Sequence, residues 1–382
     1  MLLDRLIKFF TSLKLTVVCL ALAVLLVFFG TLAQVDLGLY KAQNEFFRSF
    51  LVYWGPKGAD WRIPVFPGGY LIGGILLINL VAAHYSRFGF RRDKIGIIIT
   101  HVGLILLLLG QLATDMLSTE SSLHLRNGET KNYSESDRLT ELAVIDRSDP
   151  KKQKVVAIPD SILARDSVIR TPELPFEVRV KHFYPNSLLA GGSMDGFEKS
   201  AATQGPGAGI WIREEPRTTK MEERDLPSAL VELEAGGTSM GTWLVSIQLD
   251  QLQTVMAQGR PYDLVLRLRR HYIPFALQLI EFRHDIYAGT DIPKNFSSQV
   301  RVLNPATGED REVKIKMNSP LRYSGLTFYQ ASFDPDDKGS VLEVVRNPSW
   351  VTPYLACLLV GVGLAVQFLS HLIPFVKRRL KA

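Results

Sequence analysis

The sequence predicts an α-helical membrane protein with four transmembrane helices and a large, mainly antiparallel β extracytoplasmic domain. Three observations support this fold class: four long uncharged apolar runs, a one-sided distribution of basic residues, and a two-residue alternation between the third and fourth runs. A helix needs about 20 mostly apolar residues to cross the hydrocarbon layer of a membrane. The runs therefore predict spans over residues 15–33, 70–86, 95–113 and 353–375.

The basic residues predict the orientation of these spans. Segments 1–14, 87–94 and 376–382 have net charges of +2, +3 and +4, and four spans place all three on the same side. Cytoplasmic segments carry the excess of Lys and Arg, so both termini are expected in the cytoplasm. The loop 34–69 and the domain 114–352 are then outside. Since the cytoplasmic segments account for more than the formal net charge of +6, that charge reflects topology and predicts no nucleic-acid binding.

Residues 114–352 have the pattern of β-strands. Apolar and polar side chains alternate over 176–182, 243–249 and 297–303, among other stretches, and residues 304–308 have turn chemistry. This alternation is typical of half-buried strands. An antiparallel sandwich or open barrel of about 200 residues is therefore expected.

The chain contains no catalytic signature. It lacks GxSxG, HExxH and P-loop motifs, so we expect no catalysis by this chain alone. Cys19 and Cys357 both lie within apolar runs, and no CxxC or CxxCH occurs. This pattern excludes a thioredoxin-type site and covalently attached c-type haem. Asp334, Asp336 and Asp337 form only part of a calcium loop, and a solvated acidic turn is expected there.

Three histidines lie in the predicted spans, where ionisable residues are costly and indicate a site. His101 is seven residues past Lys94, about 10 Å deep at 1.5 Å per residue. His84 and His371 lie nearer the same, cytoplasmic ends of their helices. Neutral imidazole is a good iron ligand, and two histidines at matched depth on facing helices could ligate a haem. Position alone equally allows a proton relay, snorkelling, or a hydrogen bond between helices.

Two local patterns accompany these histidines. Gly96, Gly103 and Gly110 recur every seven residues in the third span, which predicts that another helix packs closely against it. Gln367 lies one turn before His371 and is expected on the same helix face.

Four segments resemble the ResB-like cytochrome c biogenesis proteins. They are FFTSLKLTVVCLALAVLLVFFGTLAQ (9–34), INLVAAHYSRF (78–88), KIGIIITHVGLILLLLGQL (94–112) and SPLRYSGLTFYQASF (319–333). The first three are similar to the first three spans of that family, and the fourth is similar to the end of its outer domain. The middle of the outer domain, about 130–300, shares only its β-rich character.

The resemblance implies a bacterial inner-membrane subunit that works with a ResC/CcsA-like partner as part of a cytochrome c haem lyase. The pair would move haem to the outer face and present it for thioether attachment to apocytochrome c. The resemblance makes His84 and His101 the candidate iron ligands for a transient haem b, which the partner could share. His371 matches no family motif and ranks third.

Two alternatives stay open. One is a b-type electron-transfer membrane protein, in which paired histidines hold a permanent haem. The other is a haem-free membrane scaffold for an outer-face assembly complex. The five tryptophans are scattered along the chain, whereas the resemblance implies a tryptophan-rich haem-handling segment in the partner. We therefore expect this chain to need a separate partner, and we expect the reductant for thioether formation to come from elsewhere.

Overall fold

The computed structural model describes residues 2–56, 61–87, 94–149, 152–165, 168–218, 223–287, 289 and 293–380. These residues form two compact units. One, the membrane unit, contains the described residues up to Ser118 and from Asn347 onward. The other, the β unit, contains Thr119–Thr218 and Glu223–Arg346. The predicted fold class is confirmed, because the chain has four long apolar helices and an antiparallel β unit.

Apolar composition determines where the long helices form. The helices are α1 (Leu2–Phe10), α2 (Leu13–Leu37), α3 (Leu39–Ala42), a π-helix (Gln43–Phe47), α4 (Gly69–Arg87), α5 (Ile95–Leu117), α6 (Asp160–Leu163) and α7 (Thr352–Arg379). Helices α2, α4, α5 and α7 are long and apolar enough to cross a membrane. Each extends beyond its uncharged run, because that run reflects the hydrocarbon thickness and not the length of the hydrogen-bonded helix.

The structure describes most of the predicted outer loop but little of the predicted cytoplasmic loop. The outer loop 34–69 is not irregular: it holds α3, the π-helix and a two-stranded hairpin of β1 (Leu51–Trp54) and β2 (Ile63–Pro67). Most of the predicted cytoplasmic loop 87–94, including Arg91 and Arg92, lies outside the described residues. The same holds for Lys381 in the tail.

Helix packing within the membrane unit follows two patterns. Helix α7 packs along the glycine face of α5, since Gly96, Gly103 and Gly110 are all buried. Helix α4 packs against α2, where buried Asn79 accepts a hydrogen bond from the Thr16 hydroxyl at 2.6 Å. The burial of Gly96, Gly103 and Gly110 against α7 confirms the close helix approach that was predicted for the third span.

The β unit contains seventeen strands among its described residues, and every pair between them is antiparallel. They are β3 (Thr119–Arg126), β4 (Thr130–Asp146), β5 (Lys154–Pro159), β6 (Val168–Ile169), β7 (Glu177–Tyr184), β8 (Ser187–Ala190), β9 (Glu198–Lys199), β10 (Trp211–Glu214), β11 (Ser228–Ala235), β12 (Thr238–Ser246), β13 (Gln253–Ala257), β14 (Arg260–Ile286), β15 (Pro293–Asn304), β16 (Glu309–Lys316), β17 (Leu321–Tyr323), β18 (Leu326–Phe333) and β19 (Gly339–Arg346).

The described residues of this unit form two large hydrophobic cores and a smaller cluster of Ile212, Leu230 and Leu244, and the 27-residue strand β14 contributes to both large cores. The first core lies between the four-stranded sheet β12-β11-β7-β6 and strands β4, β5, β13 and β14. The second core consists of buried side chains from β3, β14, β15, β16, β17, β18 and β19, which all belong to the large ten-stranded sheet. The alternation found in the sequence therefore buries one face of each main strand.

The segment 319–333 belongs to the second core. It forms the hairpin β17–β18, with Ser324 and Gly325 at positive φ in the turn, and Phe328 is fully buried. The Asn304 side-chain amide donates a hydrogen bond to the Tyr323 hydroxyl at 2.9 Å. This contact joins the hairpin to the predicted turn at 304–308.

Candidate functional site

The structure brings two of the three candidate histidines together. His84 lies in the last turn of α4, and His101 lies in the second turn of α5. Their ring centroids are 6.1 Å apart, with ring planes at 41°. The short connection between α4 and α5 makes the two helices adjacent, so residues near the joined ends reach the same depth. Both side chains are half-buried, and together they define the histidine pair.

A backbone hydrogen bond determines which nitrogen of His101 carries the proton. Its Nδ1 lies 2.7 Å from the carbonyl oxygen of Ile97, one turn earlier. A carbonyl oxygen only accepts, so Nδ1 must donate. In the neutral ring this leaves the Nε2 lone pair as the metal-binding or proton-accepting position. Such a bond from the second ring nitrogen is what orients metal-ligating histidines in proteins.

His371 has a different environment from the pair. It lies on an exposed face of α7, and its Nε2 is 2.7 Å from the Gln367 side-chain nitrogen. The amide nitrogen donates, so Nε2 of His371 accepts and its proton lies on Nδ1. This contact confirms that Gln367 and His371 share a helix face. The described ring contacts join His84 to His101 and do not include His371.

The donor set suits two-ligand coordination. A structural zinc site takes four protein ligands, but no cluster of three or more potential metal-ligating residues occurs in the described part of the chain. Haem iron needs at most two axial ligands from protein. With ring centroids 6.1 Å apart, His84 and His101 together offer two imidazoles, which is the number of protein ligands that a haem iron would take.

A second polar cluster occurs near the other end of α4 and α5. The Asp115 carboxylate is 2.8 Å from the Arg48 guanidinium, and the Tyr70 hydroxyl donates to its second oxygen. The Asp115 side chain is only 13% exposed. No local pattern in the sequence indicates this cluster, because Asp115 lies two residues past an uncharged run and its partners are 45 or more positions away.

The acidic turn of the β unit pairs with basic side chains. Asp334 lies 2.9 Å from His124, and Asp336 lies 2.6 Å from Arg126. The backbone N–H of Lys338, followed by Arg126, lowers the pKa of Asp336. The predicted acidic turn therefore pairs with a histidine and an arginine, while the Asp336 side chain remains 45% exposed.

Comparisons with known proteins place part of the chain in a known family. Residues 238–349 match the model of the ResB-like family. This match runs from the start of β12 to the residues before α7 and does not include the histidine pair.

Two curated proteins are similar to this chain over other lengths. "Protein NrfI" of Wolinella succinogenes is 26% identical over 318 residues, covering 78% of this chain and 30% of that protein. "Cytochrome c biogenesis protein CcsB" of Prochlorococcus marinus is 30% identical over 104 residues, covering 27% of this chain and 23% of that protein. The chain thus spans less than a third of the length of either relative.

Proposed function

From the match of residues 238–349 to the ResB-like family, we propose that this chain is a ResB-like membrane subunit of cytochrome c biogenesis. Its specific task is to receive haem b as a transient cargo and pass it across the membrane for attachment to apocytochrome c. The name of the CcsB relative supports the general role. The histidine pair supports the specific task, and it is the observation on which the proposal depends.

The position of the pair favours cargo entry from the cytoplasm. His84 and His101 lie near the joined ends of α4 and α5, next to the basic segment 87–94. The positive-inside bias places that segment in the cytoplasm of a bacterial inner membrane. The basic side chains there would also attract the propionates of an incoming haem. In this proposal the β unit is extracytoplasmic.

The two imidazoles would have distinct tasks toward the cargo. His101, with Nδ1 held by the Ile97 carbonyl, offers a pre-oriented Nε2. His84 offers a second ring at the same depth, and a partner histidine could replace either one during transfer. Haem itself supplies the iron that accepts these nitrogens. The chain's own residues therefore hold and orient the cargo and perform no covalent chemistry.

Transfer and attachment require other proteins. The sequence contains no CxxC pair that could cycle between thiols and a disulfide. Reducing equivalents would come from elsewhere. A ResC/CcsA-like membrane protein is the expected partner, and the two together would form a cytochrome c haem lyase.

The histidine pair also favours a second candidate, a b-type electron-transfer protein. That function requires two ligands within one chain, which a His84–His101 pair could supply. The two candidates differ in retention: a resident haem stays stoichiometric when apocytochrome c is present, whereas a cargo haem is depleted. A haem-free scaffold is the third outcome, and it requires neither histidine.

The test is a visible absorption spectrum of the chain purified with its ResC/CcsA-like partner, with and without co-expressed apocytochrome c. His84→Gly and His101→Gly remove the pair singly, and His371→Gly is the matched control at an exposed position of α7. We expect a Soret band in the wild type that weakens in either pair variant and recovers with added imidazole. The control should retain the wild-type band.

Each other outcome selects a different conclusion. A Soret band of unchanged intensity in the presence of apocytochrome c would support the electron-transfer function. Normal cytochrome c maturation in both pair variants, with unchanged haem content, would contradict the proposal and leave the scaffold function.

A further inference from the structure

The hairpin of β1 and β2 presents an apolar surface that no described part of the chain covers. Tyr53, Trp54 and Trp61 are each more than half exposed, as is Val65, and Ile63 is 48% exposed. Trp54 pairs with Ile63, so these two side chains share one face of the hairpin. Val52 and Phe66 pair nearer its open end and belong to a cluster with Leu26 of α2 and Ile72 of α4, and Tyr53 is exposed beside them. Contiguous exposed apolar patches of this kind mark interaction surfaces.

The hairpin is attached to the ends of two membrane helices. The Gly68 N–H donates to the Phe50 carbonyl at 2.9 Å, and the Tyr70 N–H donates to the Ser49 carbonyl at 3.1 Å. These bonds join the open end of the hairpin to the first turn of α4. The hairpin therefore cannot move away from the membrane helix without breaking backbone hydrogen bonds.

A glycine in α2 indicates the depth of this region. A Cβ built on Gly30 would lie 2.8 Å from the ring of Phe47, in the π-helix that precedes the hairpin. Gly30 lies one turn inside the uncharged run that ends at Ala33. Phe47 also lies against Gly69 at the start of α4. The base of the hairpin is thus at the boundary of the hydrocarbon layer.

The length of the hairpin keeps its aromatic side chains near that boundary. Leu51 pairs with Pro67 at the open end, and Trp54 pairs with Ile63 three residues further along. At about 3.3 Å per residue, Trp54 is about 10 Å from the open end. The headgroup region of one leaflet is about 5–7 Å thick. An upright hairpin would therefore carry Trp54 a few ångströms beyond the headgroup region, whereas a hairpin tilted toward the membrane plane keeps its exposed residues within that region.

The chemistry of the surface matches that region. Trp and Tyr have an apolar ring and a polar N–H or O–H, and they concentrate where acyl chains meet headgroups. Arg62, beside Trp61, is also exposed, 3.7 Å from Glu45 at its nearest nitrogen. A guanidinium at this level suits phosphate groups of lipids.

We propose that the β1–β2 hairpin is an interfacial anchor whose exposed aromatic surface lies in the lipid headgroup region. The anchor lies at the opposite end of α4 from His84, about 22 Å away for fifteen residues of helix. It would hold that end of α2 and α4 at a constant depth in the membrane. The proposal does not depend on haem binding.

The experiment measures the depth of fluorescent labels in the full chain. Cys19→Ala and Cys357→Ala remove the natural thiols, and Ile63→Cys or Val65→Cys introduces a single label site on the hairpin. Val27→Cys, exposed on α2, is the reference inside the hydrocarbon, and Met256→Cys, on β13, is the reference in the β unit. Each labelled chain is reconstituted in phosphatidylcholine vesicles that contain lipids with a nitroxide quencher at a shallow or a deep acyl position.

We expect the hairpin labels to lose at least about twofold more fluorescence than the Met256 label with the shallow quencher. They should be quenched less by the deep quencher, which should act most strongly at Val27. Quenching at both hairpin sites no greater than at Met256 would overturn the proposal. Shielding of these labels only after a ResC/CcsA-like partner is added would also overturn it and identify a protein-docking surface.

Discussion

Gly96 of α5 lies directly against the backbone of Gln367 in α7: a Cβ built on Gly96 would come within 2.7 Å of the Gln367 nitrogen. The contact is repeated one heptad later, where Gly103 meets Val360 and the carbonyl of Ala356. Gly363 of α7 meets Thr100 in return. Small residues allow membrane helices to approach closely enough for backbone contact. This packing holds α5, and with it the ring of His101.

The glycine contact predicts a position-specific loss of stability. Gly103→Leu should destabilise the membrane unit by more than about 2 kcal/mol, because the backbone of α7 cannot give way to a side chain. Gly361→Leu is the matched control, since nothing lies within 4 Å of its added Cβ. Thermal unfolding in detergent should show a lower Tm only for Gly103→Leu. Equal shifts for the two variants would contradict close α5–α7 packing.

Asn79 predicts a second effect within the membrane unit. It accepts from the Thr16 hydroxyl and donates to the carbonyls of Phe10 and Ser12. Thr16→Val removes one partner of this buried amide and should cost about 1–2 kcal/mol. Thr31→Val is the control, because the Thr31 hydroxyl donates to the Val27 carbonyl within the same helix and joins no second helix among the described residues. Thermal unfolding under identical conditions should give a lower Tm for Thr16→Val than for Thr31→Val. Similar Tm values for the two variants would refute a special role for Asn79.

The Asp115 cluster predicts a charge-dependent loss. Asp115→Asn removes the ion pair with Arg48 and weakens the hydrogen bond from Tyr70, so a destabilisation of about 1–2 kcal/mol is expected. The value is modest because Arg48 is half exposed and water screens the pair. Asp36→Asn, at an exposed position of α2, should leave the Tm unchanged. A shift of equal size at Asp36 would show that net charge alone is responsible.

Glu343 predicts a pH-dependent gain in the β unit. Burial, and then the nearby Glu120 and Asp137, raise the pKa of the Glu343 carboxyl in the folded chain. A raised carboxyl pKa means that this group stabilises the fold fully below its unfolded pKa, and that this contribution is lost as pH rises through the folded value. Glu343→Gln should therefore stabilise the β unit at pH 7, by less than about 1 kcal/mol.

The gain should disappear on acidification. Below about pH 4 the wild-type carboxyl is protonated and resembles the amide, so the Tm values of wild type and Glu343→Gln should converge. Glu312→Gln, at an exposed position, is the control for loss of one negative charge. A difference that persists unchanged at low pH would exclude the electrostatic origin.

The sequence by itself determined the four spans and the β character of the remainder. Hydrocarbon cannot solvate charges or unpaired backbone groups, so an uncharged run of about 20 residues has few alternatives to a membrane helix. A strand half-buried in a sheet requires alternation, which is equally visible in one dimension. His84, His101 and His371 also stand out in the sequence, because an ionisable side chain in a span is costly wherever its helix packs.

Only the tertiary structure decided which of these residues meet. The pairing of His84 with His101, and not with His371, depends on the rotation and neighbours of α4, α5 and α7, which hydropathy does not encode. Asp115 pairs with Arg48 from a distant part of the chain, and the hairpin within the predicted loop 34–69 packs against α2 and α4. These contacts arise from side-chain packing between segments far apart in sequence, so no local pattern could reveal them.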